Sequence, residues 1–354
     1  MERRRLGATD LELSVIGLGT WVFGGRWGGA QDADSRAAVH AAIDAGVNWI
    51  DTADIYGQGR AEQVVARALA ERGDEVVIAT KGGVAWSTDG GGLRIWREAS
   101  GGYLRTALER SLKALGRDHV DLYQVHWPVA GVPPEDTIGT LSRFRDEGLI
   151  RWIGVSNYHL TDLEAAWAAG PLHAYQPGYH VLRRGIEGAE LPWCAAHGVG
   201  VIAYGPLAHG LFTGKMHGST TFAPGDWRAG SEFFTDDAWP ERVAVVRELG
   251  EIAREAGRRG GVAELAVMWV LRRPEVTSAI VGARDAGQAR ANAALAGPPL
   301  GADEERAIEA VLARHPEASR PYGHGEPPDR PPPGAVPPDG GATALPPSGG
   351  RARR

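Results

Sequence analysis

The chain has 354 residues with 38 Lys and Arg against 44 Asp and Glu, a net charge of −6, and 43% of its residues are hydrophobic. This acidic balance argues against nucleic acid or an anionic membrane as a partner, because both require a basic surface. The single cysteine, Cys194, excludes an internal disulfide and a cysteine-cluster metal site. No apolar run approaches the roughly 20 residues that span a bilayer, and the N-terminus lacks the apolar region of a secretory signal. We therefore expect a soluble cytoplasmic protein without a metal site, and its oligomeric state is left open.

The chain opens on RRRLGATDLELS, which predicts a β-hairpin with its turn at residues 7–10. From residue 15 onward, short apolar runs alternate with amphipathic segments of helix length. The runs are apolar throughout, as expected for strands that are covered on both faces. The predicted strands are residues 15–19, 49–52, 76–80, 120–126, 152–156, 174–176, 199–204 and 278–281.

Between these strands lie helical patterns that end on a glycine, the residue favoured just after a helix: DADSRAAVHAAIDAG, RAEQVVARALAERG, YLRTALERSLKALG and DTIGTLSRFRDEG. Eight strands with intervening helices over about 300 residues predict a (β/α)₈ TIM barrel, with the hairpin across its N-terminal end. An open doubly wound sheet is the alternative. Its G-x-G-x-x-G turn is absent, because the first strand leads into GLGTWVFGG.

The composition changes at His315, where a segment rich in proline and glycine begins. Such a segment cannot bury enough surface to offset its conformational entropy. We predict one barrel domain over residues 1–314 and a disordered tail over residues 315–354. The PPDRPPP stretch is open to two interpretations, a solvated tail or a polyproline ligand for a recognition domain.

Polar side chains follow successive predicted strands at the point where each strand ends, where a barrel of this kind places its active site. A single such residue has a structural role by default, but a series is hard to explain by packing. In chain order they are Asp51, Tyr56, Lys81, His126, Ser156, Asn157 and Gln176.

Elementary electrostatics assigns roles to four of these side chains. The pKa of tyrosine is about 10, and a lysine ammonium about 4 Å away would lower it by up to roughly three units. A buried lysine needs a counter-charge, for which Asp51 is the natural candidate. A histidine beside the phenol can orient a substrate oxygen without supplying the proton. This combination of Asp51, Tyr56, Lys81 and His126 fits carbonyl reduction, with hydride delivered from elsewhere.

IDTADIYG, IATKGG, LYQVHWP, IGVSNY and the late IVGAR…N closely resemble the aldo-keto reductase family in order and spacing, over roughly residues 3–300. The resemblance implies a barrel that binds NADP(H) without a Rossmann fold and reversibly reduces an aldehyde or ketone. It implies a catalytic tetrad of Asp51, Tyr56, Lys81 and His126, with Tyr56 as the general acid. Asp54 lies outside the tetrad, and capping or turn bonding is its expected role.

The resemblance also implies where the cofactor binds. Ser156, Asn157 and Gln176 would contact the nicotinamide carboxamide, Tyr204 would stack on its ring, and Arg284 would meet the ribose 2′-phosphate. The complete predicted set is Gly19, Thr20, Trp21, Asp51, Ser156, Asn157, Gln176, Tyr204, Gly205, Pro206, Leu207, Gly210, Gly282, Arg284, Gln288 and Asn292.

Three positions depart from the family pattern. Gly205 stands where a small hydroxyl residue or cysteine is usual, and Asp285 where a second polar or basic group is common. Ala291 stands where an acidic residue often contacts adenine. These departures lie outside the tetrad, and they leave NAD(H) open as an alternative to NADP(H).

The tryptophans Trp21, Trp127 and Trp86 fall in predicted loops after strands and are candidate walls of a substrate pocket. Residues 207–240 form a connection too long for a plain loop. Their aromatic content predicts a lid over cofactor or substrate, with an inert surface insertion as the alternative.

The leading hypothesis is a carbonyl reductase acting on a small molecule. A nucleotide-sensing regulatory subunit resembling potassium-channel β subunits is the alternative, and a barrel isomerase or lyase without nicotinamide is disfavoured by the predicted cofactor contacts.

Overall fold

The computed structural model describes residues 1–25, 31–73, 75–88, 92–322, 326–329 and 335. Its strands are β1 (Arg3–Arg5), β2 (Glu12–Ser14), β3 (Ile16–Gly19), β4 (Trp49–Asp51), β5 (Val77–Gly82), β6 (Val84–Ser87), β7 (Arg94–Arg97), β8 (Val120–Val125), β9 (Ile150–Ser156), β10 (Ala174–Gln176), β11 (Gly200–Tyr204) and β12 (Val276–Gly282). Eight of them close a parallel barrel in the order β3-β4-β5-β8-β9-β10-β11-β12, with β12 paired to β3. The predicted (β/α)₈ barrel is confirmed, and each predicted strand overlaps one of these eight.

Helices surround the barrel: α1 (Asp32–Asp44), α2 (Arg60–Ala70), α3 (Gly101–Leu115), α4 (Pro134–Asp146), α5 (Leu160–Ala169), α6 (Glu190–His197), α7 (Glu232–Thr235), α8 (Trp239–Glu255), α9 (Gly261–Leu271), α10 (Ala286–Ala293) and α11 (Ala302–Arg314). The four predicted helical segments coincide with α1 to α4. Gly116 follows α3 with a φ of 63°, the left-handed geometry that its glycine signal predicts. Within the described ranges, no helix has the length and apolarity to cross a membrane, and no three His, Cys, Asp or Glu side chains are grouped to hold a metal.

The predicted N-terminal hairpin closes the bottom of the barrel. β1 pairs antiparallel with β2, and the amide of Ala8 donates to the carbonyl of Gly198, which precedes β11, at 2.8 Å. Three hairpin leucines pack onto side chains of the barrel interior; the resulting cluster contains Leu6, Leu11, Leu13, Trp49, Ala79, Leu122, Ala174, Ile202 and Ile280.

Trp49 fills the lower barrel and requires a glycine beside it. Its indole N–H lies 3.1 Å from both the Ser14 carbonyl and the Ser278 hydroxyl, so the ring is fixed on its polar side. A Cβ atom at Gly17 would lie 2.2 Å from the indole ring, a distance that a fully buried side chain cannot relieve by moving.

The prediction is that Gly17→Ala lowers the free energy of unfolding by about 2 kcal/mol or more, because overpacking a filled core forces strain. Urea denaturation measures the change. Gly102→Ala in the first turn of α3 is the control, since a Cβ there meets nothing within 4 Å. Equal stability of the two variants would contradict the packing account.

Two features were absent from the predictions. The antiparallel hairpin β6–β7 lies between β5 and α3. Residues Pro316–Ser319 form a 3₁₀ helix with Ala318 buried, and the amide of Arg97 in β7 donates to the carbonyl of Pro328 at 2.8 Å. Packed structure therefore continues past His315, where the prediction began a disordered tail. Residues 323–325, 330–334 and 336–354 of that predicted tail lie outside the described residues.

Candidate active site

The predicted tetrad converges at the C-terminal end of the barrel strands. Asp51 is the last residue of β4, Lys81 lies near the end of β5, and His126 directly follows β8. Tyr56 lies in a turn that starts at Asp54. Asp51 and Lys81 are buried, whereas Tyr56 and His126 are half-buried. The charged pair is thus placed beneath two rings that are accessible from the barrel mouth.

Asp51 and Lys81 form a buried ion pair. The ammonium of Lys81 donates to both carboxylate oxygens of Asp51, at 2.8 and 2.7 Å, and to the carbonyl of Thr52 at 3.0 Å. These three acceptors match the three N–H donors of an ammonium. Burial lowers the pKa of Lys81, and the Asp51 carboxylate opposes that shift. Asp51 thus occupies the counter-charge position that the sequence predicts.

The surroundings of the Tyr56 phenol oppose the acidifying effect that the sequence predicts for Lys81. The ammonium lies 5.3 Å from the centroid of the Tyr56 ring, and its protons point to Asp51 and Thr52. Burial raises the pKa of Tyr56 well above its usual value, and the negative charges of Asp51 and Asp54 add to the shift. Tyr56 therefore stays protonated at neutral pH, which is the form that a proton donor requires.

His126 lies against Tyr56 as a neutral imidazole. The two ring centroids are 5.8 Å apart and the planes meet at 77°. Burial lowers the pKa of His126 well below its usual value, and the charge of Lys81 lowers it further. A neutral imidazole can orient an oxygen by a hydrogen bond but carries no spare proton.

We predict that Asp51→Asn lowers the free energy of unfolding by about 3 kcal/mol or more, because it leaves a buried ammonium without its counter-charge. Replacing both partners, as Asp51→Asn with Lys81→Met, should recover part of that loss. Urea denaturation of the cofactor-free protein measures both variants. Glu12→Gln removes an exposed ion pair with Arg5 and is the control, expected to change stability by at most about 0.5 kcal/mol. A single Asp51→Asn change as mild as the control would contradict the account.

The side chains predicted to hold the nicotinamide form a hydrogen-bonded chain across three neighbouring strand ends. The Tyr204 hydroxyl donates to Asn157 Oδ1 at 2.8 Å, and Asn157 Nδ2 donates to the Ser156 hydroxyl at 3.1 Å. Ser156 in turn donates to the carbonyl of Gln176 at 2.8 Å. Asn157 has a φ of 61°, a strained position that this chain helps to hold.

Gln176 connects this chain to the tetrad. Its side-chain nitrogen donates to Asp51 Oδ1 at 2.7 Å and approaches Gln124 Oε1 at 3.5 Å. Sequence reasoning missed Gln124, although it lies two residues before His126 on β8 and alternation places both on one face of the strand. The interior therefore holds a polar layer directly below the predicted catalytic groups.

The end of β3 is tied to the end of β4. The backbone amide and the hydroxyl of Thr20 both donate to the Asp51 carbonyl at 3.0 Å. Gly19 is the last residue of β3, and Trp21 follows with 38% of its surface exposed. These three predicted contacts therefore lie at the rim beside Asp51.

The loop after β11 has the backbone of an anion-binding turn. Ala208 and His209 have φ values of 44° and 55°, and Gly205 and Gly210 have 72° and 98°. Successive residues that mix right- and left-handed geometry turn their N–H groups toward one side, as in sites that hold phosphate oxygens. The predicted contacts Gly205, Pro206, Leu207 and Gly210 lie in this loop, where the amides of Ala208 and Gly210 donate to the carbonyls of Gly205 and Leu207 at 2.9 Å. Their role in binding a pyrophosphate stays a prediction.

The predicted 2′-phosphate contacts surround the start of α10, just after Gly282 ends β12. The backbone amide of Arg284 donates to Gln288 Oε1 at 3.1 Å, and the residue is exposed. Asn292 Nδ2 donates to the Gly282 carbonyl at 3.0 Å. Asp285, a departure from the family pattern, caps α10 by accepting from the Gln288 amide at 2.8 Å. Its negative charge is thus engaged by the helix N-terminus.

The predicted lid, residues 207–240, reaches across to the rim of β3. The ring of Trp227 lies 5.2 Å from that of Trp21 and 4.8 Å from that of His209. Arg228 forms an ion pair with Asp226 at 2.6 Å and donates to the His209 carbonyl at 3.3 Å. Sequence reasoning missed this pair, for which the short GDWR motif gives no signal beyond a turn.

The two remaining tryptophan candidates, Trp127 and Trp86, lie in different surroundings. Trp127 follows His126 and is half-buried, with the Arg97 guanidinium 4.9 Å from its ring. Trp86 lies on β6 and packs 4.4 Å from the Arg110 guanidinium of α3. The expectation that Trp86 forms a substrate wall is therefore not supported, because its hairpin folds back onto α3.

Comparison with known proteins assigns the family. The sequence profile of the Aldo/keto reductase family matches residues 15–313. This chain belongs to the aldo/keto reductase family. It is accordingly an oxidoreductase that uses a nicotinamide cofactor.

Three relatives show the range within the family. Aldo-keto reductase YhdN of Bacillus subtilis (strain 168) is 36% identical, over 88% of this chain and 94% of the relative. The NADH-specific methylglyoxal reductase of Escherichia coli (strain K12) is 31% identical, over 83% and 93%. A probable voltage-gated potassium channel subunit beta of Oryza sativa subsp. japonica is 30% identical, over 91% and 100%.

Solved structures agree with the fold. The glycerol dehydrogenase AKR11B4 from Gluconobacter oxydans superposes with a TM-score of 0.82 at 35% identity, covering 91% of this chain and 98% of that one. An aldo/keto reductase from Klebsiella pneumoniae in complex with NADP and acetate has a TM-score of 0.67 at 29% identity, covering 93% and 98%.

Proposed function

We propose that this aldo/keto reductase catalyses the NADPH-dependent reduction of a small aldehyde or ketone, with Tyr56 as the proton donor. The observation that carries the proposal is the position of a protonated phenol between a neutral imidazole and a buried ammonium-carboxylate pair. Family membership supports the reaction class.

The chain's own residues supply binding, orientation and the proton. The bound nucleotide supplies hydride to the carbonyl carbon. As negative charge develops on the carbonyl oxygen, the Tyr56 hydroxyl donates its proton there and His126 fixes that oxygen by a hydrogen bond. Lys81, held by Asp51, places a positive charge near the phenolate that remains. The reverse sequence oxidises the alcohol, because each step can run backward.

The relatives support a small polar substrate. One relative is named for methylglyoxal reduction and a structural neighbour for glycerol oxidation, and both substrates are short oxygenated molecules. Trp21 follows β3, whose end lies beside Asp51. Trp127 follows β8 and is adjacent to His126. Their rings would form apolar walls that exclude water from the carbonyl.

The cofactor assignment rests on Arg284 and the turn after β11. A guanidinium matches the geometry of a phosphate, and Arg284 is exposed. The neighbour solved with NADP supports NADPH, whereas the NADH-specific relative keeps NADH as the competing choice.

The potassium-channel β relative supports one alternative, a regulatory subunit with little turnover. It predicts tight nucleotide retention, negligible activity across a broad carbonyl panel, and a co-purifying partner. Steady oxidation of NADPH with a small aldehyde would exclude it.

For Tyr56→Phe we predict a fall in kcat of at least about 100-fold, because general acid catalysis contributes about 10² to 10⁴. Nucleotide affinity, measured by fluorescence titration, should remain within about threefold, since the removed hydroxyl does not bind the nucleotide. Tyr175→Phe on β10 is the matched control, because the Tyr175 hydroxyl donates to the Tyr158 carbonyl and lies outside the tetrad. Full activity of Tyr56→Phe would refute the proposed proton donor.

Replacing Arg284 tests the cofactor assignment. Arg284→Gln should raise KM for NADPH by about tenfold or more, the value of a lost charge-assisted contact, and change KM for NADH little. Arg290→Gln, a substitution at an exposed position of α10, should alter the KM of neither nucleotide. An equal loss with both nucleotides would contradict the assignment of Arg284 to the 2′-phosphate.

A further inference from the structure

Asp54 is buried behind the tetrad rather than exposed in a turn. Only 1% of its surface is accessible. Its amide donates to the carbonyl of Lys81 at 3.3 Å, and its carbonyl accepts from the amide of Gly59 at 2.7 Å. The backbone of Asp54 therefore joins the strand that carries Lys81 to the turn that carries Tyr56.

A second carboxyl group lies on the same side of β5. Glu62 of α2 is also 1% exposed, and the hydroxyl of Thr80 donates to its Oε1 at 2.7 Å. Thr80 precedes Lys81, so alternation along the strand points the two side chains to opposite faces. Glu62 thus lies outside the barrel wall while Lys81 lies inside it.

The surroundings of these two carboxyl groups neutralise them incompletely. Arg110 of α3 approaches Asp54 Oδ2 at only 3.4 Å, and its guanidinium also contacts the Trp86 ring and the Tyr103 hydroxyl. Among the described residues, no hydrogen-bond partner meets Asp54 Oδ1, which is buried. Burial raises the pKa of both carboxyl groups, and the charge of Glu62 raises that of Asp54 further.

Titratable groups face the two carboxyl groups from every element packed against them. They are Arg110, Lys113 and Tyr103 from α3, Arg67 from α2, Lys81 from β5, Tyr123 from β8, and Tyr56 from the turn. Among these, Tyr56 and Lys81 belong to the tetrad, so charge on the carboxyl groups acts on the reaction through space.

A cleft of about 410 Å³ gives solvent a route to this cluster. It is lined by Asp54, Glu62, Arg110 and Trp86, and Lys113 lies at its rim. Protons can therefore reach or leave the carboxyl groups from the side of the barrel, separately from the mouth where substrate binds.

We propose that Asp54 and Glu62 form an outer carboxyl pair whose charge determines how firmly Tyr56 holds its proton. The pair thereby sets the pH at which the site changes from donating a proton, in carbonyl reduction, to accepting one, in alcohol oxidation. Asp54 and Glu62 are positioning residues in this account, since they act through the field at Tyr56. The inference rests on the proposed function of Tyr56.

The sign of the effect follows from electrostatics. Once ionised, the pair is negative and disfavours the phenolate, so removing its charge makes Tyr56 release its proton at a lower pH. A unit charge within about 10 Å at an effective dielectric near 20 is worth on the order of one pH unit.

The test compares pH profiles of kcat/KM for reduction and for oxidation. In Asp54→Asn, the midpoint for loss of reduction and the midpoint for gain of oxidation should both move down by on the order of one pH unit. Glu62→Gln should move both midpoints in the same direction but by less, because Glu62 lies outside the barrel wall and only Asp54 acts directly on Tyr56. Asp54→Glu restores the charge and should restore the wild-type midpoints.

Glu109→Gln is the control, because it removes an exposed carboxylate next to Arg110 on α3 and should move neither midpoint. Thermal melting shows which variants are folded, and Glu62→Gln carries the test if Asp54→Asn does not fold. Wild-type midpoints in the folded variants would overturn the inference. That result leaves the role of Tyr56 standing, whereas activity of Tyr56→Phe would refute the role of Tyr56 itself.

Discussion

A lysine with no accessible surface keeps its charge only beside a carboxylate, and Asp51 meets that need with contacts of 2.7 and 2.8 Å. The rest of the site is built around this pair. Thr20 fastens the end of β3 to the Asp51 carbonyl, and Gln176 fastens the end of β10 to the Asp51 carboxylate. The neighbouring ammonium also helps to keep His126 neutral. One buried interaction thus connects four strand ends.

The same pair explains why the phenol is a proton donor and not a standing phenolate. The Lys81 ammonium donates its hydrogen bonds to Asp51 and Thr52, and it lies 5.3 Å from the centroid of the Tyr56 ring. Burial is the main reason that the pKa of the phenol is high, and the negative charges of Asp51 and Asp54 add to it. The positive charge of Lys81 acts in the opposite direction, because it favours the phenolate that forms when the proton leaves.

Much of this could be predicted from the sequence, because a barrel strand covered on both faces is an apolar run and its polar terminus faces the mouth. Asp51, Lys81 and His126 are visible in that way. The acidity of Tyr56 could not be predicted, since it depends on which acceptors the ammonium chooses in three dimensions. The β6–β7 hairpin was missed although the sequence TDGGGL between its strands contains Asp-Gly, a hairpin turn signal, because its two four-residue strands are too short to show a clear alternation. The packing of Tyr322 against Phe233 was also missed. A proline-rich composition indicates that a segment cannot form its own core, but it does not indicate whether the segment packs on the surface of a neighbouring domain.

The most direct measurement of the central claim is a crystal structure of the protein with bound nucleotide and a carbonyl-containing substrate analogue. The account predicts that the analogue's carbonyl oxygen lies within about 3.2 Å of both the Tyr56 hydroxyl and a ring nitrogen of His126, with the Asp51–Lys81 pair intact beneath them. A carbonyl oxygen bound beyond hydrogen-bonding reach of Tyr56, or a Lys81 ammonium separated from Asp51, would contradict it.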